Sequence, residues 1–224
     1  MAVHSQLAGD STTPQSRARD ENQNPARPIT LRRATPTDAP SICQIGAHTF
    51  TTTFGHSLAP SDLQAYLDSS YSLEATTQDI LDPNKDMLVA TTPAAPSLSQ
   101  SSNSSSSSSP DGETSGQDTT LGFALLTRGS TEPCLSSYAP ATLIELQRLY
   151  VHPAHQGRGA GNLLARELES MARRQGYKYM WLGVWEENVK AQRVYERMGY
   201  TRVGEHAFAM GEEVQTDWVL VKEL

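Results

Sequence analysis

Between Leu143 and Ala172 the chain reads LIELQRLYVHPAHQGRGAGNLLARELESMA, and this segment restricts the fold more than any other. Branched and aromatic residues ending in Tyr150-Val151 predict a strand over 142–151. Leu164, Leu168 and Met171 then form one apolar face of a helix over 159–175, with Gly176 as its C-terminal cap signal. Between strand and helix stand Gly157, Gly159 and Gly161. Without Cβ atoms at these positions, a ligand can come close to the backbone. Unpaired amide hydrogens at the helix start, and the positive end of its dipole, favour an anion there. The expected ligand is a phosphate or diphosphate, and Arg158 adds a cation that can meet it. The loop lacks the Gly-Lys-Ser/Thr ending of a P-loop. Its G-x-G-x-G spacing, late in the chain, also departs from the dinucleotide fingerprint.

The remaining elements follow from periodicity and punctuation. Strands are expected at 29–34, 86–92, 121–128, 179–185, 200–204 and 214–221, and helices at 36–50, 61–69 and 188–198. Strands alternating with helices, then a terminal hairpin, indicate a mixed α/β class. Residues 1–28 carry almost no apolar side chains, and 93–118 is dominated by serine. Neither can bury enough surface to offset its ordering entropy, so a disordered tail and a disordered inserted loop are expected. What remains is one domain over 29–224 that the serine loop interrupts.

Composition narrows the function. A net charge of -7 argues against a sequence-independent nucleic-acid binder and leaves room for cationic small molecules. The central apolar run from Leu121 to Leu126 is too short to span a bilayer. The two cysteines, Cys43 and Cys134, supply neither a disulfide framework nor a zinc quartet, and no metal is expected. No signal peptide is visible. The expected setting is a reducing compartment, the cytoplasm or also the nucleus, with no membrane or nucleic-acid partner. The oligomeric state is left open.

The run from Leu143 to Leu168 resembles the central motif of the GCN5-related N-acetyltransferase (GNAT) superfamily, in which a strand is followed by Q/R-x-x-G-x-G/A, read here as Gln156, Gly159 and Gly161. The later segment WLGVWEENVKAQRVYERMGYTRVGEHAFAMGEEVQTDWVL and the earlier HTFTTTFGHSLAPSDLQAYLDSSYS are similar to the bacterial spermidine/spermine branch. The resemblance implies a central sheet of about six to seven strands with about four helices, splayed between its two central parallel strands. It implies that Gln156, Gly157, Arg158, Gly159, Ala160, Gly161 and Asn162 hold the diphosphate of acetyl-CoA, as co-substrate. Leu149, Tyr150 and Val151 would hydrogen-bond the pantetheine and the acetyl carbonyl, and Asn188 would contact the cofactor arm.

Acetyl transfer to an amine needs a neutral nucleophile, a stabilised oxyanion and a proton for the departing thiolate. An alkyl ammonium with a pKa near 10.4 costs roughly 4–5 kcal/mol to neutralise at pH 7. Strict strand alternation puts Glu145 on one face with Gln147, Leu149 and Val151, where it can act as the base or serve only as a solvated carboxylate. Histone-modifying members of the superfamily place their base glutamate at the corresponding position. Glu187 and His206 are the fallback bases. Asn188, Gln192 and Tyr195 share a helix face, and the protonated phenol of Tyr195 can donate to a thiolate, although it also fits a core position. Trp185, Glu186, Glu187, His206 and Asp217 are candidates for a cation-binding mouth, with Trp185 offering a π face. The reading is an acetyl-CoA-dependent acyltransferase acting directly on a primary amine, a polyamine by resemblance. A transferase for a protein or another small amine, or a CoA-binding regulator with little turnover, remain as alternatives.

Overall fold

The computed structural model describes residues 27–94, 118–210 and 213–224. The expected tail and serine loop lie outside the described residues except at their edges, where Arg27 donates to the Pro93 carbonyl oxygen and Thr92 to that of Pro28. Among the described residues, seven strands form one sheet: β1 (Thr30–Arg33), β2 (Lys85–Thr92), β3 (Thr119–Arg128), β4 (Leu143–Val151), β5 (Tyr179–Trp185), β6 (Thr201–Met210) and β7 (Glu213–Glu223). Their order is β1-β2-β3-β4-β5-β7-β6. Every neighbouring pair is antiparallel except β4 and β5.

Five helices among the described residues cover the sheet: α1 (Ala39–Phe54), α2 (Pro60–Ser70), α3 (Leu73–Leu81), α4 (Ala160–Arg174) and α5 (Val189–Arg197). Glycine sets three of the helix ends. Gly159 takes a left-handed φ of 85° as the N-cap of α4, while Gly176 and Gly199, at 89° and 90°, follow α4 and α5. The Asn188 side chain accepts the Ala191 N–H and starts α5. Helix α3 is absent from the sequence expectation because its Thr76-Thr77 pair lowers helix propensity. Tertiary contact overrides that: the Ser72 side chain caps it, and buried Thr76 accepts a hydrogen bond from Cys43 Sγ at 3.1 Å.

The two sheet faces carry different cores. Leu164 and Leu168 of α4 and Ala191, Val194 and Tyr195 of α5 pack with Ile144, Leu146, Leu149 and Val151 of β4. Ile42, Ile45, Phe50 and Phe54 of α1 pack on the other face with Tyr71, Tyr150 and Trp185. Each fully buried leucine or phenylalanine contributes roughly 1.5–3 kcal/mol. Strand β4 itself is buried along its whole length.

Two irregularities of β4 place the functional groups. Its pairing with β5 covers only Leu143–Glu145 against Tyr179–Trp181, and beyond that row the two strands part. The register with β3 also shifts, so that Leu126 faces Leu146 and Leu125 faces Arg148, leaving Gln147 as the extra residue of a β-bulge. The bulge corrects the strict alternation expected from sequence. Ile144 and Leu146 share a face with Leu149 and Val151. Glu145 therefore lies on the opposite face, with Arg148 and Tyr150.

Candidate active site

A cleft of about 530 Å³ opens where β4 ends and α4 begins. Val151, Gln156, Gly157, Gly159, Ala160, Gly161 and Asn162 line it. Gly157 and Gly159 have φ of 76° and 85°, and a Cβ built on either meets nothing within 4 Å. Their need for glycine is thus conformational, and the space beside them is open to a ligand. Arg166, Arg197 and Lys222 also line the cleft. Lys222 is paired with Glu169 of the same wall at 2.7 Å, so Arg166 and Arg197, with the α4 N-terminus, supply the charge that suits a polyanion. Sequence reading missed these three cations because they come from the body of α4, the end of α5 and β7. Arg158, singled out instead, is exposed and outside the cleft wall.

The strand edge beside this cleft has lost its partner. His152 N–H donates to the Leu121 carbonyl on β3 at 2.9 Å. By strand alternation, the N–H and C=O groups of Leu149 and Val151 point the other way, into the gap that β5 has left. Gln156 Nε2 donates to the Val151 carbonyl at 3.1 Å, tying the glycine loop to this edge. The side chains of Leu149 and Tyr150 are fully buried, so only their backbone can meet a ligand in the gap. Asn188 serves as the α5 cap, and buried Gln192 donates to the carbonyls of Trp185 and Glu186 at 3.0 and 2.8 Å. Gln192 thereby fixes α5 to the end of β5.

Tyr195 lies next to Val194, which lines the cleft, and its ring meets Tyr200 edge-on at 5.6 Å. Burial, reinforced by Tyr200, holds its phenol well above the ordinary range. It is close enough to Tyr150 to raise that phenol as well, after the larger effect of burial.

Glu145 stands at the inner end of the gap and is 1% exposed. Neither carboxyl oxygen has a partner in hydrogen-bonding geometry among the described residues, although the nearby Ser130 hydroxyl offsets part of the rise in its pKa. Burial pushes the group up to about 7, and the charge of Glu132 adds to this. A buried carboxyl with a pKa raised toward neutrality is a candidate acid or base.

A second group of charges lies on the same sheet face. Asp217 of β7 pairs in register with both Trp185 and His206. His206 Nδ1 is 3.7 Å from a Glu132 oxygen, and its Nε2 is 3.8 Å from an Asp217 oxygen. Burial, then the charges of Glu132 and Glu186, push Asp217 up to about 8. Burial lowers His206, with Glu132 opposing. The structure thus brings His206 and Asp217 together and adds Glu132, which no motif marked. Glu187 is exposed in the turn before α5. The Trp185 ring is buried against Phe54 and His56, at 5.2 and 5.7 Å.

The wall across the gap is equally polar. Arg148 is buried, donates to Asp79 at 2.6 Å and lies over the Tyr71 ring at 5.1 Å. The Tyr71 hydroxyl donates to that of Tyr150 at 2.9 Å. These contacts join residues 69 and 79 positions apart and leave no local signature in the sequence. Among the described residues, no cluster of three or more His, Cys, Asp or Glu is placed to hold a metal, and no helix is long and apolar enough to cross a membrane.

A sheet whose central parallel strands part beside a glycine-initiated helix is the arrangement that comparison with known proteins finds again. Residues 111–200 match the Acetyltransferase (GNAT) family. An uncharacterised N-acetyltransferase of Lactobacillus delbrueckii subsp. lactis is 27% identical over 187 residues, which is 84% of this chain and 92% of that protein. One from Mycobacterium tuberculosis is 27% identical over 188 residues, covering 84% and 99%. The crystal structure of the paia N-acetyltransferase from Thermoplasma acidophilum in complex with coenzyme A shares the fold, with a TM-score of 0.61 and 16% identity over 88% of this chain and 99% of that one. The chain thus shares the GNAT fold and is similar to N-acetyltransferases of that family, whose model matches residues 111–200.

Proposed function

We propose that the protein transfers the acetyl group of acetyl-CoA to a primary amine through a ternary complex, with a polyamine such as spermidine or spermine as the acceptor. The parting of β4 from β5 just beyond Glu145 carries this reading. It leaves an unpaired strand edge for an extended pantetheine, continuous with an anion-binding helix start, and places a carboxyl at its inner end. The same-fold Thermoplasma protein was crystallised with coenzyme A, which supports the choice of carrier.

The diphosphate lies on the amides from Gln156 to Asn162, with Arg166 and Arg197 screening its charge. The pantetheine runs along Leu149 and Val151. Glu145 takes a proton from the acceptor ammonium, directly or through water, and the neutral amine attacks the thioester carbonyl carbon. The Val151 N–H stabilises the oxyanion. As the carbon–nitrogen bond forms and the carbon–sulfur bond breaks, the departing thiolate receives a proton from the Tyr195 phenol, and the second proton of the acylated nitrogen, released through water, restores the phenol. Desolvation destabilises a thiolate in that buried place, so a hydroxyl donor beside it neutralises an otherwise costly charge.

The acceptor class rests on charge. On one side of the gap the charge of Glu132 adds to the proton affinity of Glu145, and those of Glu132 and Glu186 add to that of Asp217. An ammonium relieves that repulsion. The chain's net charge of -7 steers the same ligands. The test is release of free thiol from acetyl-CoA across a panel of amines. Turnover with spermidine and spermine is the expected result. Tight acetyl-CoA binding without turnover on any amine would replace the enzyme by a CoA-binding regulator.

A further inference from the structure

Strand register gathers a set of charges on the sheet face of Glu145 that the transfer steps do not use. Lys85 of β2, Thr127 of β3 and Glu145 of β4 form one row across the sheet. The next row on that face holds Met87, Leu125 and Arg148, and the one after it Val89, Phe123 and Tyr150. The bulge at Gln147 thus makes Arg148 the neighbour of Glu145 along the face, about 7 Å away at two strand rises. Without the extra residue, strict alternation would send the guanidinium to the opposite face, among the leucines of α4.

Helix α3 meets these rows through one side chain. Asp79 gives one carboxyl oxygen to Arg148, at 2.6 Å, and the other to Lys85. The side chains of Asp79, Arg148 and Lys85 are 14%, 7% and 19% exposed. One carboxylate between two cations leaves a net positive charge where solvent screens it weakly. The guanidinium is also incompletely used. Its buried Nε has no hydrogen-bond partner among the described residues, and the Tyr71 ring covers its face at 5.1 Å. A buried ion pair adds little net stability over apolar side chains of the same volume, so packing alone does not account for the triad.

The surroundings of Glu145 give that charge a use. Ser130 and Glu132 face it from the loop after β3, Trp181 from β5 and Arg148 from its own strand, with His206 and Asp217 beyond Glu132. Burial, then Glu132, raise its proton affinity, while the Ser130 hydroxyl and Arg148 oppose them.

We propose that Asp79, Arg148 and Lys85 are positioning residues for the base. By dividing its oxygens between two cations, Asp79 fixes the guanidinium beside Glu145 and leaves it charge with which to stabilise the ionised carboxylate. The inference rests on Glu145 being the base of the proposed transfer. It ties α3, which contributes no residue to the cofactor cleft wall, to the pH range in which the site works.

The test is the midpoint of the acidic limb of kcat/KM for the best acceptor of the amine panel, at saturating acetyl-CoA, in the full chain and its variants. Arg148→Met raises the midpoint by about one pH unit, the size expected for a unit charge at this distance in a partly screened site. Arg148→Lys keeps the charge and returns the midpoint toward the parent. Lys85→Met raises it less, because that ammonium is more exposed. Asp79→Asn removes the opposing charge and lowers it. A purely structural role predicts losses of stability or rate but no shifts of opposite sign. Titration calorimetry with acetyl-CoA shows which variants are folded. Where Arg148→Met is not, opposite shifts in Lys85→Met and Asp79→Asn carry the decision. Unchanged midpoints, or shifts in one direction throughout, overturn the triad, while a limb abolished by Glu145→Gln keeps the base. A limb that survives Glu145→Gln, or no turnover on any amine, removes base and triad together.

Discussion

Glu145 faces Trp181 across the last paired row of β4 and β5, so the sheet's central seam ends at a buried carboxyl. In the proposed reaction, this row is where the extended cofactor arm stops and where the acceptor's proton is taken.

A base whose carboxyl titrates at about 7 gives a defined pH profile. It works only when ionised, so kcat/KM for the amine rises roughly tenfold per pH unit below about pH 7 and flattens above it. Glu145→Gln removes this limb and lowers the plateau about a hundredfold or more. Steady-state rates from pH 5.5 to 9 check it, and an unchanged limb in the variant assigns it to another group.

The same carboxyl makes a stability prediction of opposite sign to its catalytic one. Its folded pKa of about 7 lies above the ordinary 4.5, so the folded state binds the proton more tightly. The resulting stabilisation is complete below about pH 4.5 and is lost as pH rises to about 7, where a charge becomes buried. At pH 8 the penalty is on the order of 3 kcal/mol as an upper bound. Glu145→Gln should therefore raise Tm at pH 8 by several degrees relative to the parent and lose that advantage at pH 5. Thermal melts at the two pH values measure it.

Tyr195→Phe removes one hydroxyl and leaves the ring packed on Tyr200. Turnover should fall about a hundredfold, within the usual range for a proton donor, with acetyl-CoA affinity within about twofold of the parent. Parallel initial-rate and calorimetric measurements separate the two. A parent-like kcat would exclude the phenol as the acid.

Gly159→Ala and Gly159→Asp separate backbone strain from ligand exclusion. At φ 85°, with nothing within 4 Å of a Cβ, alanine is penalised by conformation alone, about 1 kcal/mol. Aspartate adds a negative charge beside the diphosphate, and CoA affinity should drop at least tenfold beyond the alanine variant. Titration calorimetry with coenzyme A reads the difference.

Gly46→Ala probes the acceptor wall from behind. A Cβ there sits 2.4 Å from the Tyr71 ring, so the ring must shift, which strains the hydrogen bond from its hydroxyl to Tyr150. The expected result is destabilisation of about 1–3 kcal/mol, seen in chemical denaturation, with a raised KM for the amine.

Much of this architecture is visible in the sequence where local chemistry marks it. Gly159, Gly176 and Gly199 bracket α4 and α5, and the glycines between Gly157 and Gly161 mark the loop that lines the cleft. Helix α3 is hidden because Thr76 reads as a poor helix residue, and only its contact with Cys43 explains its place. The bulge at Gln147 has no signature either, because a period of two contains no cue for a skipped residue. It moves Glu145 to the face of Tyr150 and Arg148, which decides what the carboxyl can reach. Glu132 and the Arg148–Asp79 pair are brought in by tertiary packing of loops and helices distant in sequence.

A crystal structure with bound coenzyme A tests the central arrangement most directly. The expected complex has diphosphate oxygens within hydrogen-bonding distance of the amides between Gln156 and Asn162, and a pantetheine lying along Leu149 and Val151 with its sulfur near Tyr195. Coenzyme A bound elsewhere, with β4 and β5 closed over the gap, would contradict it.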